Sequence, residues 1–338
     1  MNIKSLLLLG SAVASVSFTG AQAADAIFVP EPEPMEYVRV CDVYGAGFFY
    51  IPGTETCLKI GGYVRYQIDW AEGDDGWRKF GRANVELDAR SETELGTLRS
   101  FIQVWFNQSS GFRGFVDEDD DRHSSGVTLR QAFVELGGLF FGIKTTLWDG
   151  DLDGEYDYWG YDSRVHTVGY NFAFGNGVNV ALALEEYDYD YDYKPNVVGK
   201  VGISQGWGSL NVWGAYDATA EEGAAKAIAK IKLADPLELQ LAGVYASGVS
   251  QYSPYDYKWA AGAHLKYKVN EKLALGFGGE YFGDSFVDGY NDWALGAVVD
   301  YEVVKGFASK LAVNYYDGDS FESGDNHWGG FLRLQRNF

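Results

Sequence analysis

Apolar and polar residues alternate one for one along much of this chain, and a period of two commits a segment to β-strand with two unlike faces. Between residues 58 and 70, Leu58, Ile60, Val64, Tyr66, Ile68 and Trp70 share one parity, against Lys59, Gly61, Tyr63, Arg65, Gln67 and Asp69 on the other. Ala83, Val85, Leu87 and Ala89 repeat the pattern against Arg82, Asn84, Glu86, Asp88 and Arg90. It recurs through Leu182 and Leu184, Leu210 and Val212, Leu239 and Leu241, Leu275 and Phe277, Leu295 and Val299, and Leu311 and Val313. Each strand so marked has one apolar face and one that sees water. Parity is weakest at residues 127–136 and 164–174, where both faces carry apolar groups.

Aromatic residues end these apolar stripes, as at Trp70, Tyr245, Tyr281, Trp293, Tyr301, Phe307 and Tyr315. Rings at both rims of an apolar band are what two membrane interfaces select. Gly175-Asn176-Gly177, Ala234-Asp235-Pro236 and Val269-Asn270-Glu271 are tight turns, whereas 109–125, 148–163 and 283–291 are long acidic connections. Short turns on one side and long loops on the other predict an all-β, antiparallel transmembrane barrel of about 16 strands after Leu58. Closure is demanded by lipid, which leaves the unpaired backbone groups of an open edge unsatisfied. The competing architecture is a soluble two-sheet sandwich, which needs no paired aromatic girdles. No second domain is expected after Leu58. The two parity-weak strands are expected to face a neighbouring subunit or a loop folded into the lumen.

Lys4, the apolar stretch through Phe18 and Ala21-Gln22-Ala23 predict a secretory signal peptide over 1–23. After it, no run of about 20 apolar residues occurs, which excludes a helical membrane protein. Residues 24–57 hold the Pro30-Glu31-Pro32-Glu33-Pro34 linker and the only cysteines, Cys41 and Cys57. Export to an oxidising compartment predicts a disulfide between them, the alternative being two free thiols. Residues 58–338 are the expected barrel. The net charge of −21 repels phosphate backbones, so nucleic acid is not an expected partner.

The last strand alternates Trp328, Gly330, Leu332 and Leu334 with Phe331, Arg333, Gln335 and Asn337, and ends in Phe338. A C-terminal Phe of this kind is an assembly signal of bacterial outer-membrane barrels. Arg336 is an exception on the apolar parity, expected at the periplasmic rim, where charge costs only about 0 to 1 kcal/mol. The unbroken segment Val40-Cys41-Asp42-Val43-Tyr44-Gly45-Ala46-Gly47-Phe48-Phe49-Tyr50-Ile51-Pro52-Gly53-Thr54-Glu55-Thr56-Cys57-Leu58-Lys59-Ile60-Gly61-Gly62-Tyr63-Val64-Arg65 resembles the general porins of alphaproteobacteria of the Rhizobium and Brucella type. A weaker likeness covers the rest of the mature chain. The resemblance implies an outer-membrane homotrimer of sixteen-stranded barrels, each narrowed by an inward-folded third external loop. Outer-membrane lipid, lipopolysaccharide and small hydrophilic solutes are the expected partners, with no cofactor and no metal.

The third long connection supplies Asp149, Asp151, Asp153, Glu155, Asp157 and Asp162 as candidate constriction acids. Arg65, Arg82, Arg130 and Lys144 are the inward cations expected to face them. Opposed rows of charge set a transverse field that favours small polar solutes over apolar ones. The acid excess predicts a mild cation preference. Asp149, Asp151, Asp153 and Gly154 imitate half a calcium loop, but position twelve is Gly160 where a bidentate Glu is needed. Gly202-Ile203-Ser204-Gln205-Gly206 matches a nucleophile elbow without the helix that motif requires, and the four histidines have no catalytic or metal-ligand spacing. No enzymatic site emerges. Two alternatives to a general diffusion channel are a sugar-selective pore lined by Trp105, Trp148, Tyr158, Trp159 and Trp213, and a closed structural or adhesive barrel. Asp188, Asp190 and Asp192, alternating with tyrosines from Tyr187 to Tyr193, read as a plain extracellular hairpin, the alternative being an external carbohydrate or ligand platform.

Overall fold

The structure is a computed structural model that describes residues 39–73, 75–110, 123–156, 163–187, 193–287, 289–318 and 326–338. The expected signal peptide, the Pro/Glu linker, Asp157, Tyr158, Trp159, Asp162 and residues 188–192 lie outside the described residues.

Seventeen strands run in chain order: β1 (Phe49–Tyr50), β2 (Cys57–Ala71), β3 (Arg78–Thr93), β4 (Gly96–Ser110), β5 (His123–Leu136), β6 (Leu139–Thr145), β7 (Arg164–Phe174), β8 (Val178–Glu186) and β9 (Asn196–Gln205). They continue as β10 (Gly208–Asp217), β11 (Glu222–Ala234), β12 (Leu237–Ala246), β13 (Tyr257–Lys268), β14 (Leu273–Ser285), β15 (Asp292–Val304), β16 (Phe307–Asp317) and β17 (His327–Asn337). Each strand from β2 onward pairs antiparallel with the next, and β17 pairs with β2. The ring is therefore a closed sixteen-stranded barrel without an edge, as the alternation predicts.

Burial is inverted relative to a water-soluble protein. Asn84, Asp88, Gln103, Gln240, His264 and Asn314 are buried, while Ile60, Val64, Phe106, Leu182, Val201, Phe277 and Leu332 are exposed. Polar side chains pack inside and apolar ones meet the surroundings, which suits lipid outside and water within. Near the loop ends of β13 to β17, Trp259 stacks with Tyr281, Trp293 meets Tyr315, and Tyr315 meets Trp328. These outward rings form one rim of the aromatic girdle.

A β-bulge accounts for the weak parity on β5. Gln103 pairs with Gln131 and Val104 with Leu129, so Arg130 is the extra residue and the faces exchange there. On β7 the register is regular, and Val168, Tyr170, Phe172 and Phe174 all stand exposed on one face.

Seven short turns join strands at one end of the barrel, and the long connections lie at the other. At the turn end, β1 pairs with Leu58 and Cys57 of β2, and Cys41 is disulfide-bonded to Cys57. Phe48 is buried with that disulfide and lies 5.1 Å from the Arg90 guanidinium and 5.9 Å from the Lys59 ammonium. Those cations share the polar parity of β2 and β3, so the hairpin of residues 40–50 packs on the inner side of the turn-end mouth. Phe338 closes the ring nearby: its N–H donates to Gly62 O at 3.1 Å, and Gly62 N–H donates to Phe338 O at 3.2 Å. Gly62 has φ +146°, and a Cβ there would stand 2.0 Å from Asn84 O, so no larger residue fits this junction.

Candidate functional site

Residues 146–156 open the third long connection, between β6 and β7. Thr146 Oγ1 donates to Glu185 Oε2 at 2.6 Å and Leu147 N–H to Glu185 Oε1 at 2.6 Å. Glu185, on β8, is 1% exposed, and a buried carboxylate accepting two short bonds fixes where the chain leaves the wall. The Trp213 indole on β10 donates to Leu147 O at 2.9 Å. Buried Lys226 on β11 donates to the carbonyls of Trp148 and Gly150, between the rings of Trp148 and Trp213.

Two acids then meet four cations. Asp153 accepts from Lys230 Nζ on β11 at 2.6 Å and from Lys266 Nζ on β13 at 2.7 Å, while its own N–H donates to Gln240 Oε1 at 2.8 Å. Glu155 accepts from Lys310 Nζ on β16 at 2.8 Å and from Arg333 Nη1 on β17 at 3.0 Å. The Glu155 carbonyl accepts from Asn314 Nδ2 at 2.8 Å, and Tyr156 OH donates to Ala263 O at 3.1 Å. Across eleven residues the loop is thus bonded to strands from β8 to β17. Burial pushes both carboxyl groups upward in pKa, but the ammonium and guanidinium partners outweigh it and hold Asp153 and Glu155 below the usual carboxylate range. A polar cavity of about 370 Å³ lies alongside, lined by Asp151, Asp153, Glu155, Lys266, Asp300 and Lys310.

Of the other expected acids, Asp149 is within electrostatic reach of Lys200 and Asp151 lines the cavity. Asp157 and Asp162 lie outside the described residues. Asp153, third acid of the half calcium loop, is held between two ammonium groups, and no His, Cys, Asp and Glu group among the described residues could hold a metal ion.

Arg65, Arg82 and Arg130 come together on β2, β3 and β5. Arg65 pairs directly with Arg82, and Arg82 and Arg130 lie 3.4 and 3.8 Å from the Trp105 ring centre. Lys144 belongs to a different group: it binds Glu135 at 2.6 Å, which also binds Arg99, which binds Asp88 beside Arg90. Of the aromatic residues considered for a sugar path, Tyr158 and Trp159 lie outside the described residues. Trp148 and Trp213 are buried against the loop base, and Trp105 is covered by two guanidinium groups. Sequence reasoning missed the cations that bind the loop, Lys226, Lys230, Lys266, Lys310 and Arg333. Their signal was a basic residue on the inward parity at mid-strand, the same cue that selects Arg65 and Arg82.

A closed barrel of sixteen strands, apolar outside, polar within and bonded internally to its third long connection, defines the class of multi-strand outer-membrane barrels of Gram-negative bacteria. Residues 25–332 match the family described as the porin subfamily. Porin Omp2b of Brucella suis biovar 1 and Porin Omp2b of Brucella melitensis biotype 1 are each 39% identical over 372 residues, spanning all of this chain and all of theirs. The chain belongs to the porin subfamily. Among solved structures, the outer membrane channel DcaP of Acinetobacter baumannii superposes with a TM-score of 0.66 at 15% identity, covering 86% of this chain and 99% of its own. A loop-deletion variant of OmpT, an outer membrane protein of Vibrio cholerae, gives 0.63 at 14% identity, covering 84% and 100%. These two likenesses establish the barrel fold. The family, whose members are not catalysts, makes this chain an outer-membrane porin rather than an enzyme.

Proposed function

We propose that the barrel is a passive, water-filled channel for small hydrophilic solutes and ions, narrowed by its third long connection folding into the lumen. The observation that carries this reading is the seating of Asp153 and Glu155 on four inward cations of four separate strands. A loop so held lies across the lumen and leaves the passage between itself and the wall of β2 to β5. That passage has Arg65, Arg82 and Arg130 on one side and Asp149 and Asp151 on the other, and the resulting field orders water and disfavours apolar solutes. Asp153 and Glu155 are each matched by two cations, so the mild cation preference is carried by acids of the mouth and outer connections. Removal of residues 1–23 and assembly as a homotrimer belong to the same proposal, the first from the leader pattern and the second from the family resemblance.

The test is swelling of proteoliposomes in sugars of increasing size. Rates should fall smoothly with solute size and rise linearly with concentration. Saturation with one sugar, or no swelling with correctly inserted protein, contradicts the general channel.

A further inference from the structure

The third long connection is held at its base as well as at Asp153 and Glu155, and one of the groups at the base belongs to a different connection. Residues 247–256 join β12 to β13. They are pinned by bonds of their own. Ser247 N–H donates to Gly223 O at 2.9 Å, Gln251 N–H to Asp217 Oδ2 at 2.9 Å, and the buried Ser253 Oγ to Tyr255 O at 2.6 Å. Tyr252, at the centre of this surface segment, is nevertheless 0% exposed.

The base of the third connection supplies the contacts that bury it. The Tyr252 ring meets Trp148 edge-on at 5.5 Å and Tyr187 edge-on at 6.4 Å, and its hydroxyl donates to Glu185 Oε2 at 3.5 Å. Glu185 is the carboxylate that accepts from Thr146 and Leu147, so a group from the β12–β13 connection completes its set of donors. A carboxylate in so dry a place needs hydrogen bonds to replace the water it has lost, and bonds shielded from water are electrostatically stronger. Trp148 is fixed in the same way on another side, where its ring lies 4.9 Å from Lys226 Nζ. Trp148 and Glu185 therefore share Tyr252 as a neighbour, although the closure of the barrel through β17 and β2 involves none of the three.

We infer that Tyr252 is a positioning residue for the constriction: the β12–β13 connection reaches inward and holds the base of the third connection in place, so two connections rather than one set the width of the pore. This inference rests on the channel reading above.

The test is single-channel recording of the whole protein in a planar bilayer, with thermal unfolding of the same preparation measured alongside. Tyr252→Ala leaves a cavity beside Trp148 and lets water reach Glu185. Excursions to a wider, higher-conductance state should become about ten-fold more frequent, the value of one edge-to-face ring pair. Tyr252→Phe keeps the ring and loses only a long hydrogen bond, so it should stay within about two-fold of wild type. Ser253→Ala loosens the β12–β13 connection without touching the third one, and should raise the frequency about three-fold. Val287→Ala, at a position 73% exposed on the β14–β15 connection, should leave it unchanged. A wild-type frequency in Tyr252→Ala overturns the inference whatever happens to the unfolding temperature, because Tyr252 would then contribute packing alone. Should Tyr252→Ala fail to insert, Ser253→Ala decides, and a wild-type frequency in it is the overturning result. Absence of any current from inserted wild-type protein would instead refute the channel reading, so the two failures are distinguishable.

Discussion

Replacing Asp153 with Asn removes one negative charge from the loop and leaves Lys230 and Lys266 facing a neutral amide. The side chains involved are about one third exposed, at 30%, 34% and 39%, so each lost ion pair is discounted for solvent screening. At about 1 kcal/mol per pair, the loop loses about 2 kcal/mol of its seating energy, or about a 30-fold change in the ratio of seated to lifted loop. The Lys226 bonds to Trp148 and Gly150 and the Glu155 pairs remain, so the barrel folds and the loop still seats for most of the time. Single-channel recording reads the effect in two ways. Excursions to a wider, higher-conductance state should become about 30-fold more frequent, and the permeability ratio under a salt gradient should move toward anions. Wild-type noise together with a wild-type permeability ratio would refute the reasoning, because it would mean that Asp153 neither seats the loop nor faces the path.

Two other predictions concern the same carboxylates and the N-terminal disulfide. Asp153 and Glu155 have folded pKa values below the ordinary carboxylate range, so their contribution is complete above the unfolded value, about 4, and is lost only as pH falls through the depressed folded values. Conductance noise should therefore stay constant from about pH 7 to about pH 5, and loop lifting within that window would show that these carboxylates are not held by their cations. Reducing the Cys41–Cys57 bond should cost the N-terminal hairpin about 3 kcal/mol on the loop-entropy account, given its separation of 16 residues. Hydrogen exchange of residues 41–57 should rise while strand content is unchanged, since the ring closes through β17 and β2; loss of the whole barrel on reduction would contradict this.

The strands and the position of the third connection were legible because both signals are local: a period of two within each strand and turn residues between strands. Arg65 and Arg82 fall on the polar parity of β2 and β3 for the same reason, and there they pair with each other. Arg130 is the extra residue of a bulge opposite Gln103 and Val104, which is a property of two strands and cannot be read from one. Lys144 obeys the parity rule and yet sits with Glu135 and Arg99, because height along the barrel depends on register and shear. The loop's partners were hidden by distance in the chain. Asp153 meets Lys230 and Lys266 only once seven more strands, β7 to β13, have been added to the wall. Trp148 and Trp213 are a related case: an inward indole serves a packed loop base as readily as a solute path, and these two are buried in the former.

The most direct test of the central claim is conductance and reversal potential of the protein, purified from outer membranes, in a planar bilayer under a potassium chloride gradient. The account predicts stepwise, ohmic conductance with a reversal potential displaced modestly toward the cation value. Silence from folded, inserted protein would contradict it and leave the barrel closed.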